Sequence, residues 1–460
     1  MKRILMVLLS VLMVVGMTSC ENDHGLNPHK PVTLSIWHNY GGQMKEAMQD
    51  MIDEFNETIG EKKGIILNVT SITTSASLHE KLSMAAKDDP GAPELPDITT
   101  ANPKTAVLLA ERGMLADLKE QFTEKELSAY VPRFLEEGQL GTESLYIFPT
   151  AKSTEVLFIN KVIFDRFAAE TGASYRDLAT FEGLAETARK YYEWTDAKTP
   201  DVPNDGKKFY HSDSLYNYTQ IGCRQLGAEF VKENQLDGST PEARRVWNSF
   251  YEQAVKGEYA VFDGYSSDLV KTGEIVCSTG STAGVVFFDS VVTYPDNTTE
   301  PAELITMPYP VFEGGKKIAV QRGGGMAVTK SDDTKEYAAS LFLKWFTSPE
   351  NNIRFISQTG YLPVTNEAYD EIMNREISQL KDERIRALLD TAVTMQKEYD
   401  FYIPPVTEDI DQLIDEYGND FRQTAAESAE EYRAAVTEEG PEAAFAKATD
   451  GVYEGFFPAG

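Results

Sequence analysis

Apolar and polar positions along this chain repeat with two periods, and each period predicts a type of element. Val32-Thr33-Leu34-Ser35-Ile36 alternates every second residue and predicts a short strand. After Trp37-His38-Asn39-Tyr40-Gly41-Gly42, the residues Met44, Ala47, Met48, Met51, Ile52 and Phe55 share one helical face. Residues 65–69 form a second strand, so the chain opens as a β-α-β unit. Val156-Leu157-Phe158-Ile159 is a continuous apolar run, the signature of a strand buried on both faces. Residues 274–277 read as another strand, running into Ser278-Thr279-Gly280-Ser281-Thr282-Ala283 and an apolar helix start. Hydroxyls and free N–H groups there form a donor nest. In residues 334–346, Tyr337, Ala338, Leu341, Phe342 and Trp345 make one helical face. Ser348-Pro349 caps and opens the next helix, Gly360 ends it, and Pro363 keeps Tyr361-Leu362-Pro363-Val364 extended. Residues 368–395 and 408–448 are mostly helical and strongly acidic, a solvated cover.

The ends change this picture. Met1-Lys2-Arg3 is basic, residues 4–17 are apolar but short for a membrane span, and Thr18-Ser19-Cys20 closes the run. This is the pattern of a bacterial lipoprotein signal, with Cys20 lipidated as the new N-terminus. Residues 21–31 are polar, carry glycine and two prolines, and read as a flexible tether. The roughly 440 residues that remain exceed what one core usually holds and predict two lobes or domains.

A formal net charge of −30 excludes a nucleic-acid binder, because a phosphate backbone requires a positive surface. Beyond Cys20 there are two cysteines, Cys223 and Cys277, which the sequence allows either to pair in one bridge or, as their apolar surroundings favour, to be buried free thiols. The five histidines form no metal-binding spacing, so no metal or cofactor is expected.

Candidate chemistry collects in the loops. The segment after the first strand lies at a strand's C-terminal end, where open α/β sheets bind ligands. Trp37, His38 and Tyr40 are therefore candidates, with core packing the equal alternative for Trp37 and His38. In Gln321-Arg322-Gly323-Gly324-Gly325, three consecutive glycines do not strengthen a strand and instead permit close approach of a ligand or another lobe. No Gly-Lys-Ser/Thr follows, so this is not a phosphate loop.

The stretch AASLFLKWFTSPENNIRFISQTGYLPVTNEAY resembles the corresponding part of the family 1 extracellular solute-binding proteins of ABC importers. So do the opening Trp37-His38, the strand Pro96-Asp97-Ile98, and residues 141–160, GTESLYIFPTAKSTEVLFIN. SLYNYTQIGCRQLGA and GEIVCSTGSTAGVVFF complete the likeness, which covers nearly the whole mature chain in order. The resemblance implies a two-lobed periplasmic-binding-protein-like α/β fold of type II, each lobe an α/β sandwich, with the ligand cleft at the hinge. It implies lobe 1 from 32–151 plus 320–360 and lobe 2 from 152–319 plus 361–460, after a signal at 1–19 and an anchored tether at 20–31. It also places Asn102, Lys152, Ser153, Tyr216, Tyr218, Thr279, Ser281 and Tyr361 at the ligand; Gly324 is a candidate through the close approach that the glycine run permits.

The implied protein is a monomeric, lipid-anchored receptor on the extracytoplasmic side of the cell membrane, delivering carbohydrate to ABC permease subunits. Lys152 and Arg322 motivate the alternative of a glycerol phosphate or another anionic sugar. A surface glycoside-acting enzyme is the weaker contender. Among 73 acidic residues carboxylate pairs arise by chance, and no nucleophile or metal motif accompanies them, so an enzyme is not expected.

Overall fold

The computed structural model describes residues 23–458 except 73, 370–374, 376 and 407–409. The signal segment and Cys20 lie outside the described residues. The strands that organise the molecule are β1 (Val32–His38), β2 (Ile65–Ser71), β3 (Ile98–Ala101), β4 (Phe148–Ser153), β5 (Glu155–Asn160), β6 (Tyr210–Ser212), β7 (Cys277–Ser281), β8 (Leu304–Met307), β9 (Ile318–Val320), β10 (Arg322–Val328) and β11 (Asp400–Tyr402).

Two sheets carry the two lobes. The first has the order β2-β1-β3-β10-β4, and the second β8-β5-β7-β6. β1 runs parallel to β2 and β3, whereas β10 enters between β3 and β4 antiparallel to both. The expected apolar face of the first helix, Gln43–Phe55, is buried at Met44, Ala47, Met48, Met51, Ile52 and Phe55. β5 is buried at every residue, as its unbroken apolar run requires. Cys223 and Cys277 are both free and buried.

The chain crosses between lobes three times. Lys152 and Ser153 belong to β4, pairing with Gly323 and Arg322, so the first crossing is at Thr154 and not after residue 151. Gln321 makes the second, between β9 and β10. The third comes later than residue 360. Leu362 N donates to Lys152 O (2.6 Å), Val131 N to Val364 O (3.0 Å), and Asn366 N to Ala129 O (2.9 Å). An extended segment held open by Pro363 leaves its backbone groups unpaired, and these take partners from the first lobe. Thr154 Oγ1 donates to Val320 O at 2.7 Å, tying the first two crossings together.

Residues 23–31 are not a free tether. His24 stacks on Tyr337 with ring centroids 4.0 Å apart, and its Nδ1 lies 2.7 Å from Asp333 Oδ2. Three glycines also behave otherwise than expected. Gly323, Gly324 and Gly325 lie inside β10, with a register shift between Gly324 and Gly325. A Cβ on Gly325 would sit 2.1 Å from Phe148 O, and one on Gly323 2.5 Å from Ala151 O. The neighbouring strand, more than a ligand, requires the missing side chains. At Gly323 the positive φ of 84° adds a second reason.

Candidate functional site

A cleft of about 280 Å³ lies at the C-terminal ends of β1 and β3, where the crossings meet. Its first-lobe wall is Asn39 and Tyr40 after β1, Thr100 and Ala101 at the end of β3 with Asn102 just beyond, and Ser75 and Thr105 from helix starts. Ser281 and Ala283 face them from the second lobe, and Arg322 to Gly325 with Tyr361 form the hinge side. Parallel strands deliver polar loop residues to one edge, the position where such sheets take ligands.

Local structure holds these groups. Asn102 caps the helix Pro103–Ala110 by accepting from Thr105 N at 2.9 Å. Thr100 Oγ1 donates to Asn39 Oδ1 at 2.9 Å. Tyr40 packs edge-on to Tyr361, centroids 5.9 Å apart, and both rest on Phe355. A Cβ on Gly360 would meet Val285 at 2.5 Å and Thr282 O at 2.7 Å, so the second lobe packs directly on the residue before Tyr361. Lys104 Nζ, two residues beyond Asn102, meets Asp411 Oδ2 at 2.6 Å.

Arg322 is the one Lys or Arg among the cleft-lining residues, and it is paired. Its Nη1 lies 2.8 Å from Oε1 of Glu155, a carboxylate almost wholly buried, which also accepts from Asn217 Nδ2 at 2.6 Å. Burial raises the Glu155 pKa, against the lowering effects of Arg322 and Asn217. Asp213, also held up by burial, accepts from Ser266 N at 2.7 Å nearby. Positive charge at the hinge is thus balanced from the second lobe.

Of the residues singled out from the sequence, Tyr40, Asn102, Ser153, Ser281, Gly324 and Tyr361 come together here. The others do not line the cleft. Trp37 is half-buried with Ile72, Leu78 and Leu82. Lys152 is buried against Glu137, Nζ to Oε2 2.7 Å. Tyr216 packs on Phe230 and Tyr417, and Tyr218 on Phe181 and Phe250 with its hydroxyl 2.7 Å from Ser249 Oγ. Their helix, Leu215–Leu226, is buried nearly all round, so its tyrosines serve the core. Thr279 lies inside β7, which starts later than expected and absorbs the supposed nest. Its Oγ1 is 2.6 Å from Tyr210 Oη. Asn39, Thr100 and Thr105 were missed, although strand-end position alone marks the first two.

His38 is buried just behind the wall, where Tyr40 N donates to its Nδ1 at 3.3 Å. Burial, then the charge of Lys45, lowers its pKa from 6.5 to about 4. The unfolded chain therefore binds the extra proton first as pH falls. Stability is full above about 6.5 and declines toward 4, by about 3 kcal/mol at most. Melting temperature measured across that window is expected to slope downward on acidification, and His38→Asn to flatten the slope. An unchanged slope would mean that His38 does not titrate as its surroundings dictate.

Among the described residues no group of three or more His, Cys, Asp or Glu side chains is placed to hold a metal ion, and no helix is long and apolar enough to cross a membrane.

Comparison with known proteins adds the following. A family model described as bacterial extracellular solute-binding protein matches residues 50–382. The sn-glycerol-3-phosphate-binding periplasmic protein UgpB of Escherichia coli is 22% identical over 370 residues, covering 75% of this chain and 77% of the relative. The cyclic alpha-maltosyl-1,6-maltose binding protein from Arthrobacter globiformis superposes with a TM-score of 0.66 at 18% identity, over 92% of this chain and 100% of that one. UgpB from Mycobacterium tuberculosis, in complex with glycerophosphocholine, gives a TM-score of 0.62 at 18% identity, over 92% and 97%. These structures share the two-lobed α/β fold.

Proposed function

We propose, from the premise that the chain belongs to the bacterial extracellular solute-binding proteins, that it captures a neutral carbohydrate between its lobes for an ABC importer. The observation that carries the choice of a neutral ligand is the pairing of Arg322 with buried Glu155. Lys152, the other cation that motivated an anionic ligand, is bound to Glu137 away from the cleft. What remains on the walls is amide, hydroxyl and aromatic: Asn39, Asn102, Thr100, Ser281, Tyr40 and Tyr361. Amides and hydroxyls match sugar hydroxyls, at about 0.5–1.5 kcal/mol net per hydrogen bond, and tyrosine rings match the C–H face of a pyranose.

Binding and release are conformational. The lobes move about Thr154, Gln321 and the 361–366 segment. Closure buries the ligand, the permease engages the closed form, and no bond is made or broken. In this reading residues 1–19 are a cleaved leader and lipid on Cys20 anchors the protein, a monomer, on the extracytoplasmic side of the cell membrane.

Thermal-shift measurements with maltotriose, glucuronate and sn-glycerol 3-phosphate test this reading. A neutral sugar at one hundred times its Kd is expected to add about 2.7 kcal/mol of stability, with the sugar recovered intact. A shift with glycerol phosphate alone would overturn the neutral-ligand reading, and turnover of the sugar would overturn the binding-protein reading.

A further inference from the structure

The residues that join the first lobe to the leader are docked, and they are docked at one end of that lobe. Asp23 Oδ1 lies 2.8 Å from Lys63 Nζ. His24 is held by Tyr337 and Asp333, and its carbonyl accepts from Thr334 Oγ1 at 2.7 Å. Asn27 and Pro28 press on Gly64 so closely that a Cβ there would lie 2.3 Å from Asn27 O. Val32 N then donates to Gly64 O at 2.9 Å, and β1 begins.

We propose that this end of the first lobe, made by the docked segment 23–31 and the turn 61–64, rests against the phospholipid headgroups, with the cleft turned away from the membrane. The proposal rests on the lipid-anchor reading of Cys20. Three residue steps separate Cys20 from Asp23, a reach of about 11 Å even when fully extended. A free tether of residues 21–31 would permit any orientation; a docked one does not. β1 leaves this end and runs seven residues, about 23 Å, to the cleft loop at Asn39 and Tyr40. Delivery to a permease that receives solute at the membrane then requires the segment to undock or the molecule to turn over.

The test uses the full chain, made in a bacterium so that the leader is processed, and reconstituted in phosphatidylcholine vesicles containing a headgroup-nitroxide lipid. A bimane probe is placed at Lys62→Cys or Gly41→Cys. Cys223 and Cys277 are buried and do not compete for label. A Cβ at Gly41 meets no atom within 4 Å, and His29→Cys serves on the membrane end if Lys62→Cys misfolds. Quenching is expected to be several-fold stronger at position 62 than at 41, and the difference to shrink when His24→Ala and Asp333→Asn loosen the docked segment. Equal quenching at the two positions, on protein that floats with the vesicles, would overturn the proposed orientation. Protein that does not float at all would overturn the anchor reading, and this proposal with it.

Discussion

Replacing Lys152 with methionine will destabilise the protein by about 3–5 kcal/mol and leave its ligand preference intact. The ammonium and the Glu137 carboxylate are 4% and 9% exposed, with Nζ and Oε2 2.7 Å apart. Gln321 Nε2 donates to the same oxygen, and Lys152 Nζ lies 5.7 Å above the Phe134 ring. Methionine keeps the stem's volume and removes the charge, so Glu137 remains buried with an amide in place of a cation. Lys152→Met combined with Glu137→Gln removes both charges and is expected to recover most of the loss. Chemical denaturation of the two variants checks this, together with their sugar affinity. A single variant that kept its stability but changed selectivity between neutral and anionic ligands would return Lys152 to the cleft.

Tyr361→Ala will weaken sugar binding by about 10- to 30-fold, or about 1.4–2 kcal/mol, while Tyr361→Phe costs less than threefold. The ring stands in the cleft wall, 5.9 Å from Tyr40 edge-on and parallel to Phe355 within 8°. Neighbours fix its plane, so a sugar face meets a surface that loses no further freedom on binding. The phenol oxygen is a lesser contributor because the apolar contact is made by the ring. Calorimetric titration of both variants decides the matter; binding by the alanine variant within twofold of the original would remove Tyr361 from the site.

The fold was legible wherever a period was unambiguous. The face of Gln43–Phe55, the doubly buried run of β5 and the capped turn at Gly360 all follow from local pattern. The cleft was legible to the extent that strand ends reveal it, which is why Tyr40 was anticipated; Asn102 followed from the family resemblance instead. Tyr216, Tyr218 and Thr279 lie off this cleft, and one reason covers all three. A polar or aromatic residue reads alike whether it faces a ligand or satisfies a buried neighbour, and here each has a partner or a core position. Lys152 and Arg322 read alike too, as unpaired cations. Their partners, Glu137 and Glu155, have nothing in the sequence to single them out among 73 acidic residues.

The insertion of β10 between β3 and β4 also has a consequence for how the molecule is made. The first sheet lacks its fourth strand in spatial order until residue 328 has been delivered, although β1 to β4 are complete by residue 153. The four strands of the second sheet, 155–307, have all emerged by then. A chain made from its N-terminus therefore carries an open seam in its leading half while its middle portion already has every strand of its sheet. A truncation anywhere before residue 328 leaves that seam unfilled.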